Sequence, residues 1–471
     1  MKKLILTYPN QRWHKFDMAT TWNMAPTTLC LLGGIAKDVV EVKILDANRY
    51  DMSREQFRSE IESYRPDYVG ISVLTSEYGD TLDAAADLVK SVNQRIITIA
   101  GGAHVTTLPY KIMTNQNVDY GCRGEGDYLL RDLVLYLEGR GPFPAKGLIY
   151  RENGEVKVQE RVQVEDMKSL PWPDYNLVRL EDYVNSQGRY GPNRLPELPG
   201  ITVIMTRGCP YGCTFCQVEN IAGKKIRAAD PVGVVEHLAF LKAQYGIRSI
   251  QILDDNLFAH KEVAKTFMRE MIAQRLDIKW ICSSFALFAL DDEMLELMQD
   301  AGCIGVNCAI ESGNERVLRE IIRKPIKDLA AVPTKIARIK ARGIFVIANF
   351  IIGSPGETWE EIRETIRFAE SCNADYVKLF VAVMLPGTRM HDMAVELGAL
   401  AVTEDELKVQ WRHSQLSSPE WTSRDISILR AYEWDRINFA PDRIERVAQI
   451  WGMSLNEINR IRKQTRDSLQ L

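Results

Sequence analysis

The 471-residue sequence has no apolar run of eighteen or more residues, no low-complexity tract and no short-period repeat. A membrane-spanning helix is therefore not expected, and neither is a repeat array. Clusters of basic residues are also missing. Lys and Arg number 59 against 63 Asp and Glu, the net charge is −4, and the cations are scattered. That distribution recommends neither a nucleic acid nor an anionic membrane as a partner. The nine cysteines are odd in number, and six of them (Cys30, Cys122, Cys282, Cys303, Cys308 and Cys372) follow no pattern. This argues against a disulfide framework and for a reducing compartment. Met1-Lys-Lys-Leu leads into a strand-like run and not into a signal-peptide core, so the expected location is the cytoplasm.

The remaining three cysteines fall within Thr206-Arg-Gly-Cys-Pro-Tyr-Gly-Cys-Thr-Phe-Cys-Gln217, just after the apolar run Ile201 to Met205. Three soft thiolates, Cys209, Cys213 and Cys216, can hold three corners of an iron–sulfur cluster and leave one iron open. An electron-carrying cluster would usually want a fourth cysteine nearby, and none follows. Zinc would normally be closed by a fourth Cys or His at short spacing. A zinc site and three incidental cysteines are the alternatives. The Cys-x3-Cys-x2-Cys spacing, with Phe215 directly before the last cysteine, resembles the signature of the radical S-adenosylmethionine (SAM) superfamily. The resemblance implies a [4Fe–4S] cluster on these cysteines, with the open iron chelating the amino and carboxylate groups of SAM.

Upstream, to about residue 145, strand-like runs (Leu4 to Tyr8, Val40 to Leu45, Tyr68 to Leu74, Ile96 to Ala100) alternate with helix candidates near 27–37, 53–64, 79–93 and 127–138. This rhythm predicts a parallel sheet covered on both faces, with ligands at the carboxyl ends of its strands. The turns there are Asp46-Ala-Asn48, Ser72-Val-Leu-Thr75-Ser76, Gly101-Gly102-Ala-His104 and Arg123-Gly124-Glu125-Gly126. Each alone reads as a tight turn. Together, ahead of the cysteine loop, they resemble the Rossmann-like cobalamin-binding domain of one radical SAM subfamily. Ser72, Thr75, Gly101, Gly102, His104, Gly124, Glu125 and Gly126 are the implied cobalamin-side residues. Many other cobalamin proteins carry Asp-x-His-x-x-Gly, whose histidine coordinates cobalt; Asn48 stands at that position here. His104 is read as a corrin-edge contact or a structural hydrogen bond, not as a substitute cobalt ligand.

Residues 146–199 read as a connector, with an Asn153-Gly154 hairpin signal followed by the Gly/Pro-rich stretch 188–200. From 200 to 390, strands are predicted near 201–206, 248–253, 279–285, 304–310, 344–351 and 375–382. With intervening helices they make a partial (β/α)6 TIM-type barrel whose chemistry sits at strand carboxyl ends. By resemblance, Asp254 or Asp255, where the family often has Gly-Gly-Glu, meets the substrate or the SAM ammonium. Glu311 and Ser312 engage the SAM ribose or amino acid part, and Asn349, Gly353 and Glu357 belong to the adenine-side turn. Paired acids are also common helix caps. Cys282, Cys303 and Cys308 read as core residues. Residues 391–471 read as a helical tail, whose Trp and Tyr residues pack against the barrel or line a pocket.

The whole pattern resembles the cobalamin-dependent radical SAM enzymes. It implies three cofactors ([4Fe–4S] cluster, SAM and cobalamin) and methylation of an unactivated carbon of a small metabolite. A reducing electron donor such as flavodoxin or ferredoxin is the implied partner. Cyclisation or rearrangement on the same cofactors is one alternative, and a cobalamin-sensing module with a relic cluster loop is another. A methylthiotransferase would carry three further cysteines upstream, where only Cys30 and Cys122 occur.

Overall fold

The structure, a computed structural model, describes residues 1–14, 24–187 and 194–468; the start of the predicted Gly/Pro-rich stretch, 188–193, lies outside them. The chain divides into two compact units. The first comprises Met1–Arg189 with Asn220–Ala222 and Arg227–Asp230, and the second holds the rest.

The first unit is built on a seven-stranded sheet: β1 (Lys3–Tyr8), β2 (Glu41–Asp46), β3 (Tyr68–Ser72), β4 (Ile97–Gly101), β5 (Tyr120–Cys122), β6 (Leu148–Glu152) and β7 (Glu155–Val158), in the order β2-β1-β3-β4-β5-β6-β7. The first five strands are parallel. Alternation along β1 explains its unbroken apolarity. Leu4 and Leu6 enter a core with Leu29 and Leu133, while Ile5 enters the opposite core with Phe57 and Ile61. A strand buried on both faces has no polar side to show. The predicted hairpin forms with Asn153 and Gly154 at φ 52° and 84°. It is not a free connector, because β6 pairs antiparallel with β5 and extends the sheet. Strand order reverses between β1 and β3, which opens a crevice at their carboxyl ends.

The second unit contains β8 (Gly200–Val203), β9 (Ser249–Ile252), β10 (Lys279–Phe285), β11 (Cys303–Glu311), β12 (Phe345–Ile352) and β13 (Tyr376–Val381), all parallel and adjacent in chain order. β8 and β13 do not pair with each other, so the barrel is partial. An open edge strand exposes unpaired backbone groups. The tail helix Ser423–Asn438 covers that of β13. Asn438 accepts from the Val377 N–H and donates to its carbonyl, both at 2.8 Å, and Arg430 donates to the Leu379 carbonyl at 3.0 Å. Trp421 and Trp434 are buried, whereas Tyr432 is exposed. Cys282, Cys303 and Cys308 are buried core residues.

Candidate active site

The cysteine loop follows β8, and two adjacent carboxylates fix its entry. Asp254 is buried and accepts from the Met205 N–H (2.8 Å), the Thr206 N–H (2.8 Å) and the Thr206 hydroxyl (2.6 Å). Burial pushes its carboxyl up to about 7, against the pull of these donors. Asp255 accepts from the Gly208 N–H at 2.8 Å. Both acids proposed from the sequence as substrate or SAM contacts thus hold the backbone that leads into Cys209. The far side of the loop is tied to a π-helical segment, Val317–Ile322: the Thr214 N–H donates to the Ile322 carbonyl at 2.9 Å and its hydroxyl to the Ile321 carbonyl at 2.6 Å. Such segments recur at functional sites. Cys209, Phe215, Cys213 and Cys216 are half-buried between these anchors. Burial raises the Cys213 thiol, offset by Lys324, and pushes Cys216 up to about 12.

Among the described residues no three Cys, His, Asp or Glu side chains are gathered closely enough to share one metal ion. A four-iron cluster holds its thiolates farther apart than a single ion does, so the donor set remains three cysteines on one anchored loop.

Other groups stand at the strand ends of this unit. Glu311, the last residue of β11, has φ +77° and pairs with half-buried Lys324 at 3.2 Å. Burial raises the Glu311 carboxyl, and although burial opposes the Lys324 charge, Glu311 and Cys213 hold its pKa above the ordinary value. Ser312 is engaged by the Thr365 hydroxyl at 2.9 Å and accepts from the Asn314 N–H. At the turn after β12, Glu357 Oε2 accepts from the Ser354 N–H at 2.8 Å, and burial pushes this carboxyl up to about 8. Among the described residues its Oε1 has no partner, nor have Ser354 Oγ, Asn349 Oδ1 and Asn256 Oδ1. Unsatisfied buried polar atoms are costly unless a ligand meets them. Gly353 has φ +74°, and a Cβ there would meet Ile426 at 2.8 Å, so the tail helix seals the turn from behind.

In the first unit the crevice is lined by Tyr8, Gln11, Asn48, Ser72, Tyr78 and Thr81, among others. Asn48 Oδ1 accepts from the Gln11 N–H at 3.0 Å. Thr75 caps the turn at Ser76–Tyr78. A Cβ on Gly101 would meet nothing within 4 Å, whereas Gly102 (φ +100°) would drive one into the Val73 carbonyl at 2.3 Å. His104 is not turned to the crevice. Its Nδ1 lies 3.1 Å from Ser76 Oγ, its ring packs on Gly79, and burial lowers its pKa to about 4. Gly124 has φ +103° and abuts the Val162 carbonyl, while half-buried Gly126 has only Leu32 within Cβ range. Glu125 is committed elsewhere. It makes a buried two-pronged ion pair with Arg227 at 2.6 and 2.7 Å and accepts from the Val164 N–H.

Comparison with known proteins agrees with this arrangement. Residues 23–134 match the B12 binding domain model and residues 203–369 the Radical SAM superfamily model. An uncharacterized methyltransferase, PH0819, of Pyrococcus horikoshii is 31% identical over 91% of this chain and 90% of its own. This chain belongs to the cobalamin-dependent radical SAM methyltransferase family. The cytidylyl-2-hydroxyethylphosphonate methyltransferase of Streptomyces wedmorensis is 25% identical over 86% of this chain and 81% of its own. The fold matches that of the radical SAM methyltransferase TsrM of Kitasatospora setae, solved with tryptophan and a SAM analogue, with a TM-score of 0.69 at 20% identity over 84% of this chain and 76% of that one.

The two matched models are those of a radical SAM and a B12-binding domain, and TsrM, of the same fold, was solved with cobalamin and a [4Fe–4S] cluster bound. The residues present fit them. Three thiolates suit a cluster with one open iron, the unpartnered acceptors Asn256, Asn349, Ser354 and Glu357 suit a polar, donor-rich ligand, and the space before Gly101 suits a bulky one. Sequence reading passed over Lys324, Asn256 and Arg227. A lysine or arginine at a helix end or loop carries no local signal of burial, and each finds its partner only through folding. No described helix is long and apolar enough to cross a membrane.

Proposed function

We propose that Cys209, Cys213 and Cys216 hold three irons of the cluster and that the enzyme methylates an unactivated carbon of a small molecule. The observation that supports this most is the anchoring of the cysteine loop on both sides, by Asp254 and Asp255 and by the π-helical segment. When bound, the three cofactors supply one-electron and methyl-transfer chemistry, and the protein supplies position and shelter. Asp254 and Asp255 act by holding the loop in place, so that the three cysteines would be presented to a cluster in one arrangement. Asn349, Ser354 and Glu357 take the adenosine side of SAM, with Glu357 able to donate as a neutral acid near pH 7. Glu311 and Lys324 form a charge pair that suits the amino acid end. Ser72 and Gly101 border the cobalamin. Glu125 acts through Arg227 as a strut of its unit. A low-potential donor of the flavodoxin or ferredoxin class and a cytoplasmic setting complete the reading.

The test is an anaerobic incubation of cluster-reconstituted protein with cobalamin, reductant, methyl-deuterated SAM and producer-cell extract, followed by mass spectrometry. A metabolite that gains a deuterated methyl group supports the reading and identifies the substrate. Formation of 5′-deoxyadenosine without label transfer would shift it to cyclisation or rearrangement. Cys213→Ala should abolish 5′-deoxyadenosine; equal output from variant and parent would sink the cysteine assignment.

A further inference from the structure

Three polar residues just beyond β9, Asp254, Asp255 and Asn256, divide their work unevenly. Asp254 and Asp255 are spent on the backbone of the loop entry, whereas the next side chain turns to a cysteine: Asn256 Nδ2 lies 3.9 Å from Cys209 Sγ in donor geometry. Asn256 is 7% exposed, and its Oδ1 has no partner among the described residues. A buried amide with one end on a cysteine sulfur and the other unused adds little to the fold, since an unmade hydrogen bond costs more than a made one returns.

An amide N–H on a ligating sulfur has a specific effect. One-electron reduction adds a negative charge that spreads onto the thiolates, and donors to the sulfurs stabilise the reduced form, so hydrogen bonding and local charge set the potential of the cluster. Three groups are placed to do this, the first being the Val218 backbone N–H, which donates to Cys216 Sγ at 3.5 Å. Lys324 couples to Cys213 and Cys216, yet its charge is balanced by Glu311 at 3.2 Å, so its field at the sulfurs is that of a dipole. Asn256 meets Cys209 directly and nothing balances it.

We propose that Asn256 is a positioning residue whose amide N–H holds the Cys209 sulfur and sets the redox poise of the cluster. This rests on Cys209 being a ligand. The test uses the full chain, reconstituted anaerobically with iron and sulfide, in parent, Asn256→Leu, Asn256→Asp and Cys209→Ala forms. Each is titrated with dithionite, one electron passing to each cluster, and the reduced cluster is counted by electron paramagnetic resonance. At the ambient potential that half-reduces the parent, Asn256→Leu should show a reduced-to-oxidised ratio roughly tenfold lower, equivalent to ~59 mV for a one-electron couple. Asn256→Asp, which replaces the donor with a carboxylate, should lie lower still. Parent-like titration of both variants overturns the proposal. So does failure of both folded variants to load iron, which would make Asn256 a structural residue. A parent that takes up no cluster, or a Cys209→Ala form that keeps a complete one, defeats the ligand reading instead.

Discussion

Asp254 offers the sharpest stability test of the loop's architecture. Its carboxylate accepts from two backbone N–H groups, at Met205 and Thr206, in residues 1% and 0% exposed. Replacing it with alanine strands both donors where water does not reach, at about 1–3 kcal/mol each. The Thr206 hydroxyl can rotate to another acceptor and adds little. Against this loss, the variant no longer bears the burial cost that lifts the carboxyl to about 7. The net expectation is a destabilisation of ~3 kcal/mol for Asp254→Ala and about half that for Asp254→Asn, which keeps one acceptor oxygen. Urea denaturation of the full chain, with the transitions of the two units fitted separately, measures it. The loss should fall on the unit that carries the cysteine loop, together with reduced iron uptake on reconstitution. An alanine variant within 0.5 kcal/mol of the parent, below the cost of even one stranded donor, would show that Asp254 does not anchor the loop.

Three further outcomes are expected. Glu357 has a folded pKa of about 8 against an ordinary 4.5, so the native state keeps an extra proton between these values; the stability present below about pH 4.5 is lost as pH rises through 8, and Glu357→Gln should flatten that slope in pH-dependent melting. A Cβ at Gly79 would lie 2.6 Å from His104 Cε1, so Gly79→Ala should cost about 1–3 kcal/mol, and pairing it with His104→Ala should recover much of that in a double-mutant cycle. Arg227→Ala leaves Glu125 buried without its cation and should destabilise the first unit by ~3–5 kcal/mol, whereas Arg227→Met with Glu125→Gln should lose much less, as read from thermal melting.

The division between what was legible and what was not follows the range of each interaction. Strands such as β1 and β12 announce themselves through unbroken apolar runs, and the Asn153-Gly154 turn through its need for positive φ, because burial on two faces and backbone sterics act on a few neighbouring residues. The spacing of the three cysteines was legible for the same reason, since it is a local property. Side-chain roles were not. Asp254 and Asp255 look like catalytic acids in a list of residues, and only folding brings them 48 or so positions back to the loop entry. His104 was one of two readings until Ser76 and Gly79 closed around it. Glu125 was a cofactor candidate until Arg227, 102 residues on, took both its oxygens. By itself the sequence determined the order of elements, the spacing of the three cysteines and the glycines that turns require, all matters of local periodicity and conformation. The tertiary structure alone decided which charged and polar groups are spent on the scaffold and which, like Asn256, keep a buried polar atom without a partner among the described residues, because burial and pairing are properties of residues far apart in the chain.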